Sequence, residues 1–340
     1  MRRKLSRDLL DYVNVPRSRR YIKAKRPYEL ILRVKSGLPF PALLLVNFLI
    51  KCALARTQRD MKVILCHILW MGNHAHILFV SLDTQACVNF SQELQKKVTE
   101  MFKRLTGKHR LSLWEGDAVL AEVLDVEAAV SRIAYIYSNP ARAGLVESIS
   151  DYPGVSSWEA FSHCAPSTLE VVREEVLCPR LPMIEKLPSF TLTDAQDQHI
   201  TQKLHAKCKR AHLLELYPNA WMESFGITDR EEIASRNKQI REGIRENEAD
   251  ARKKRTKPVL GSHRLKRQII FKEHTPKRRE RRVYFYSSLM ELRISFLEAF
   301  LRFSERCTEC YRRWMEGDLQ VEWPPGAFRP MMGPLAVVIE

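Results

Sequence analysis

The sequence predicts an α+β protein in which a small antiparallel sheet, with helices packed on one face, precedes a basic and mostly helical C-terminal extension. Three observations lead there. Strand and helix patterns interleave up to residue 161, the character of the chain changes after Trp158, and positive charge is concentrated in two segments. Tyr28 to Lys35 alternates apolar and charged residues like a strand and closes at Ser36-Gly37. Pro41 to Arg56 is an apolar helix candidate. Met61 to Met71 and Ala75 to Ser81, rich in Val, Ile, Leu and aromatics, read as two strands or as one strand broken near Gly72-Asn73. Asp83 to Leu105 has helical spacing and is stopped by Thr106-Gly107-Lys108. Val119 to Leu124 is a short strand, after which Asp125 can cap a helix running through Tyr135. That order suits an antiparallel sheet covered on one side.

After Trp158, Pro166, Pro179, Pro182 and Pro188 punctuate a segment that reads as linker and irregular arm. Thr193 to Leu216 looks helical, Asp229 to Lys254 is a long charged helix, and Tyr284 to Trp314 is amphipathic, with a core stripe of Leu289, Leu292, Phe296, Phe300 and Phe303. The expected organisation is a basic arm (1–27), a catalytic-type domain (28–161), a linker and helical arm (162–224) and a basic helical region (225–340).

The chain of 340 residues has a net charge of +16, distributed unevenly. Met1 to Lys35 carries 12 Lys or Arg against 3 acids, and Arg252 to Arg282 carries 14 against 2, so the remainder is about five charges negative. Concentrated basic segments around a near-neutral body suggest a polyanion partner, most commonly nucleic acid. Arg33, Lys253, Lys254, Arg255, Arg278 and Arg279 are the candidate backbone contacts. A membrane is disfavoured, because the longest apolar stretch, Pro41 to Ile50, is far short of the ~20 residues a span needs. The basic N-terminus lacks the apolar core of a signal peptide, and the eight cysteines are scattered as in a reduced compartment, so a cytoplasmic, nucleoid-associated protein is expected. Cys307 and Cys310 form a CxxC without a second pair, which points to packing.

Chemistry enters with Asn73-His74-Ala75-His76. Side chains on a strand alternate, so His74 and His76 share a face with Cα atoms roughly 7 Å apart, and two neutral imidazoles so placed can share a divalent metal. A third ligand is offered by Tyr135-Ile136-Tyr137-Ser138-Asn139-Pro140. Tyr135 and Asn139 are four apart and lie on one helix face, whereas Tyr137 points about 200° away. Pro140 disfavours helical geometry at Asn139, so the helix is expected to finish there. An amide oxygen beside two imidazoles suits Mg²⁺ or Mn²⁺, which can polarise a phosphodiester. A tyrosine nucleophile needs such a setting, because its pKa near 10 leaves little phenolate at neutral pH.

These residues resemble the single-tyrosine HUH transposases of bacterial insertion sequences, specifically the REP-associated tyrosine transposases. Asn73-His74-Ala75-His76 matches the family's histidine motif, and Tyr135-Ile136-Tyr137-Ser138-Asn139-Pro140-Ala141-Arg142-Ala143-Gly144-Leu145-Val146 matches its tyrosine block. Asp151-Tyr152-Pro153-Gly154-Val155-Ser156-Ser157-Trp158 is a weaker match, and the resemblance spans roughly Tyr21 to Phe161. It implies a ferredoxin-like fold (an HUH endonuclease domain) acting on single-stranded DNA beside hairpin-forming repeats, as a monomer or a homodimer. It further implies a metal-dependent transposase or site-specific endonuclease that cleaves and rejoins DNA through a 5′-phosphotyrosine. Tyr135 then corresponds to the nucleophile, His74 and His76 to metal ligands, and Asn139 to the third ligand. There are departures. Gly72 stands where a proline is common, and Trp114-Glu115-Gly116-Asp117-Ala118 lacks the family's arginine and phenylalanine. Two other readings stay open: a domesticated DNA-binding protein that recognises repeat hairpins without cleaving, and an RNA-binding module.

Overall fold

The computed structural model describes residues 20–116, 118–181, 183–275 and 283–327. Its centre is a βαββαβ unit: β1 (Pro27–Arg33), α1 (Leu44–Met61), β2 (Val63–Trp70), β3 (His74–Ser81), α2 (Thr84–Thr106) and β4 (Val119–Val123). Within the sheet these four strands run in the order β2-β3-β1-β4, all antiparallel to their neighbours. That is the ferredoxin-like arrangement, so the α+β class and its topology are as expected.

Local chemistry sets the ends of these elements. Asp83 caps α2 by accepting from the Ala86 N–H at 2.6 Å, and Gly107, at φ +65°, ends it in the left-handed region. Nothing local caps α1. Its first N–H groups, those of Leu44 and Leu45, instead donate to the buried Asp197 carboxylate at 2.7 and 2.9 Å, from a segment 150 residues downstream. β2 and β3 are two strands of one hairpin, closed by the Met71 N–H donating to the His74 carbonyl.

Helices cover both faces of the sheet, not one. Leu30, Leu32, Ala75, Ile77 and Phe79 face α1 and α2, as expected. The opposite face, with Leu69, Leu78, Val80 and Val123, is covered by α3 (Val126–Arg142). The physical reason lies in β3, where Ile77-Leu78-Phe79-Val80 is apolar at every position and must be buried on both sides. Behind α3 packs the long helix α6 (Arg230–Lys254) through Ile233, Ile240 and Ile244.

Residues 162–224 are not a linker. After the short α4 (Trp158–Ser162) they supply β5 (Val172–Leu177), α5 (Asp194–Lys207) and β6 (Ala211–Leu216); β6 pairs in parallel with β2 and β5 pairs antiparallel with β6. Thr193 to Leu216 is therefore a helix followed by a strand. On the other edge, β7 (Phe285–Tyr286) pairs in parallel with β4, giving seven strands among the described residues. The C-terminal region also contains α7 (Ser262–Leu265) and α8 (Met290–Met315); Phe296, Phe300 and Phe303 of α8 are buried, while Leu292 and the preceding N-cap residue Leu289 are exposed. Cys307 and Cys310 are buried on α8 as packing residues. No helix among the described residues is long and apolar enough to cross a membrane.

Candidate active site

His74 and His76 project from β3 toward α3, because even-numbered residues of that strand share the face of Leu78 and Val80. Each ring is fixed through Nδ1. The His74 Nδ1–H donates to Asn73 Oδ1 at 2.7 Å, and the His76 Nδ1–H donates to Glu29 Oε1 at 2.7 Å. Both Nε2 atoms are thereby left to point inward, an orientation that an acceptor on Nδ1 commonly imposes on metal-binding imidazoles. They converge on one group, the Asn139 amide, whose Nδ2 lies 3.2 Å from His74 Nε2 and 3.1 Å from His76 Nε2. Burial pushes His74 down to about 3, and the charges of His76 and Arg33 add to the effect, so His74 is neutral at working pH.

The donor set fits a small divalent cation. Cis ligands of an octahedral ion at about 2.1 Å are about 3 Å apart, the scale of the separations seen here. Rotation of the Asn139 amide by half a turn would present its oxygen beside the two nitrogens. Among the described residues no three His, Cys, Asp or Glu cluster around a possible metal position.

Asn139 does not end its helix. α3 continues through Pro140 to Arg142, and the chain turns at Gly144, φ +67°. The bonds from the Ala143 N–H to the Asn139 carbonyl and from the Leu145 N–H to the Pro140 carbonyl carry the turn past the proline, which lacks only its own N–H bond. Asn139 is thus held inside a helix, at 9% exposure.

Tyr135 sits one turn earlier on the same face. Its ring is 5.9 Å from that of His76, nearly perpendicular, and the guanidinium groups of Arg132 and Arg142 lie over it at 4.2 and 4.7 Å. Among the described residues its hydroxyl makes no hydrogen bond, and the side chain is half-buried. Tyr137 is its opposite. It is fully buried, and its hydroxyl is 2.8 Å from His67 Nδ1 and 2.9 Å from Ser157 Oγ. Burial pushes its phenol well above the usual range. His67 reaches Tyr137 because β2 bulges at Cys66, which places residues 66 and 67 on the α3 side together.

Burial also pushes His67 down to about 3, so this imidazole is neutral in the folded protein wherever the unfolded chain would begin to protonate it, below about 6.5. The contribution of His67 to stability should therefore be level above neutral pH and fall as pH drops below 6.5, by about 2 kcal/mol at pH 5. His74 acts in the same direction. Urea midpoints in chelator at pH 7.5 and pH 5.0 check this, and equal stabilities would contradict it.

Sequence reasoning missed two charged neighbours of the histidine pair. Glu29, on β1, is fully buried and accepts from Arg132 through both oxygens, at 2.9 Å each, while also holding His76. Burial alone would raise its pKa, but the hydrogen bond from His76 and the Arg132 charge outweigh it and hold the carboxyl at about 2. Arg132 precedes Tyr135 by three residues and so shares its helix face, a spacing that was legible.

The expected DNA contacts separate into groups. Arg33 is the cross-strand partner of His74, at the edge of the site. Lys253, Lys254 and Arg255 end α6 beside the last turn of α3, where Arg142, Lys254, Arg255 and Lys257 line a surface cavity of about 520 Å³. Of these, Lys254 is paired with Asp250, and Arg255 is mostly buried against Glu147. Arg255 is thus a tie between α6 and the segment after α3. Arg278 and Arg279 lie outside the described residues.

The fold and the site together define a ferredoxin-like α+β protein in which a strand-borne histidine pair faces an asparagine and a tyrosine on one helix. No family model matches the chain, and no curated protein matches it. A solved structure of a REP-associated tyrosine transposase bound to a REP hairpin is similar to 44% of this chain and 86% of its own, at 16% identity and a TM-score of 0.37. That likeness is distant.

Proposed function

We propose that this protein is a metal-dependent DNA strand transferase and site-specific single-strand endonuclease of the REP-associated, single-tyrosine type, acting at hairpin-forming repeats. One observation carries the reading: His74 and His76 converge through Nε2 on Asn139, and Tyr135 lies on the same helix face against His76. His74, His76 and Asn139 would hold Mg²⁺ or Mn²⁺. Such an ion supplies Lewis-acid polarisation of a phosphodiester oxygen.

The remaining work falls to side chains. Asn73 and Glu29 keep both imidazoles in the tautomer that offers Nε2 inward. Arg142 places positive charge at the Tyr135 ring, where a phosphodiester would approach, while Arg132, neutralised by Glu29, packs on the same ring. The Tyr135 oxygen bonds to phosphorus, the bond from phosphorus to the 3′ oxygen breaks, and the phenolic proton is lost as the 3′ hydroxyl gains one. A 5′-phosphotyrosine results, and a 3′ hydroxyl can later attack it to rejoin strands without an external energy source.

Incubating the protein with end-labelled hairpin-bearing single strands tests the reading. A covalent adduct that survives denaturation should form with Mn²⁺ and be absent with EDTA. An adduct of equal yield in EDTA, or none under any condition, would exclude the mechanism.

A further inference from the structure

Besides α6, which packs behind α3, residues 285–288 bring the C-terminal region to the proposed site. β7 carries two aromatic side chains that point to opposite sides of the sheet. Phe285 packs on Phe296 of α8 at 4.7 Å between ring centres, and so anchors the strand to that helix. Tyr286 packs on the α3 side, where its ring lies 4.2 Å from the Arg132 guanidinium. A second aromatic partner of that guanidinium is the Tyr135 ring, also at 4.2 Å. Arg132 therefore contacts two aromatic rings while its nitrogens engage both oxygens of Glu29.

A second set of contacts joins the same segment to the same helix. Asp125, which caps α3 by accepting from the Ala128 N–H at 2.8 Å, also accepts from the Ser287 hydroxyl at 2.6 Å, the Ser288 N–H at 2.8 Å and the Ser288 hydroxyl at 2.7 Å. Residues 286–288 thus grip α3 at its N-cap and again two turns further on, one turn before Tyr135.

We infer that Tyr286 is a positioning residue: with the Asp125 tie, it fixes Arg132 and so aligns Tyr135 with the Glu29-supported His76, making the C-terminal region a structural part of the site. The inference rests on the function proposed for Tyr135 and the histidine pair. It assigns the C-terminal extension a role inside the catalytic domain that is separate from gripping DNA. The planar guanidinium suits this place because it can stack on two rings and bind a carboxylate through two bonds at once. Misplacement of supporting groups around metal-binding histidines typically lowers metal affinity 10- to 100-fold, and the effect here is expected near the lower end of that range.

The test compares Tyr286→Phe, which keeps the π face, with Tyr286→Leu, which keeps apolar bulk without one. Position 135 carries 3-fluorotyrosine so that its ¹⁹F resonance reports the ring's surroundings without DNA. Tyr286→Phe, which keeps the ring on Arg132 and loses only the hydroxyl beside Glu29, should move the resonance less than Tyr286→Leu does. Tyr286→Leu should move the ¹⁹F resonance, weaken Mn²⁺ binding measured by calorimetry about tenfold and slow adduct formation about tenfold, while the far-ultraviolet dichroism stays that of wild type. If Tyr286→Leu does not fold, the Ser287→Ala/Ser288→Ala variant decides by the same resonance, which should move. A resonance and an Mn²⁺ affinity unchanged in the folded variant would overturn the inference. A wild type that makes no adduct overturns the proposed function instead, because the ¹⁹F resonance still decides whether Tyr286 positions Tyr135.

Discussion

Tyr135→Phe should abolish the covalent protein–DNA adduct, lowering its rate by at least about a thousandfold, the scale on which removal of a covalent nucleophile acts. Folding should be unaffected, because the Tyr135 hydroxyl makes no hydrogen bond among the described residues. Tyr137→Phe should do the reverse. Its hydroxyl sits between His67 and Ser157 in a closed interior, so its loss leaves buried polar atoms short of a partner and costs about 1–3 kcal/mol of stability. The Tyr137→Phe adduct should persist. Measuring adduct yield and urea midpoint on both variants separates the two tyrosines. An adduct in Tyr135→Phe at wild-type yield would transfer the chemistry elsewhere.

Glu29→Ala is the second large effect. It removes the carboxylate that neutralises Arg132 and orients His76, leaving a guanidinium in a site shaped for an ion pair. Breaking a buried pair from one side typically costs about 3–5 kcal/mol. Losing the acceptor on His76 Nδ1 should also weaken Mn²⁺ binding 10- to 100-fold. Because Glu29 is held at about 2 against an ordinary 4.5, its contribution is fully present above pH 4.5 and is lost as pH falls through 2. Mild acid therefore cannot imitate this variant. Denaturation at pH 7.5 and calorimetric Mn²⁺ titration measure both effects, and wild-type values in both would refute the assignment of Glu29 as a support.

The histidine pair and the Tyr135–Asn139 pair were legible because each follows from one local period, two on a strand and 3.6 on a helix. The ferredoxin-like order followed from element sequence and the named resemblance. What escaped reading depended on distant partners. Glu29 looks like the polar half of an alternating strand, and its burial is made tolerable by His76 on the next strand and by Arg132, 103 positions later. The start of α1 carries no signal, since its capping carboxylate belongs to Asp197. The prolines around residues 166–188 suggested a linker, yet β5 lies between Pro166 and Pro179 and still extends the sheet. Tyr286 had no sequence signal at all, because a two-residue strand has no period to detect.

Gly243 of α6 faces α3 so closely that a Cβ there would meet the Ala134 Cβ at 3.2 Å. Ala134 directly precedes Tyr135. The rear of the tyrosine helix is thus seated against bare backbone, and any side chain at 243 acts as a shim, tilting α3 on the sheet. The placement of Tyr135 could be tuned by sub-ångström steps from a position whose own Cβ would meet only Ala134.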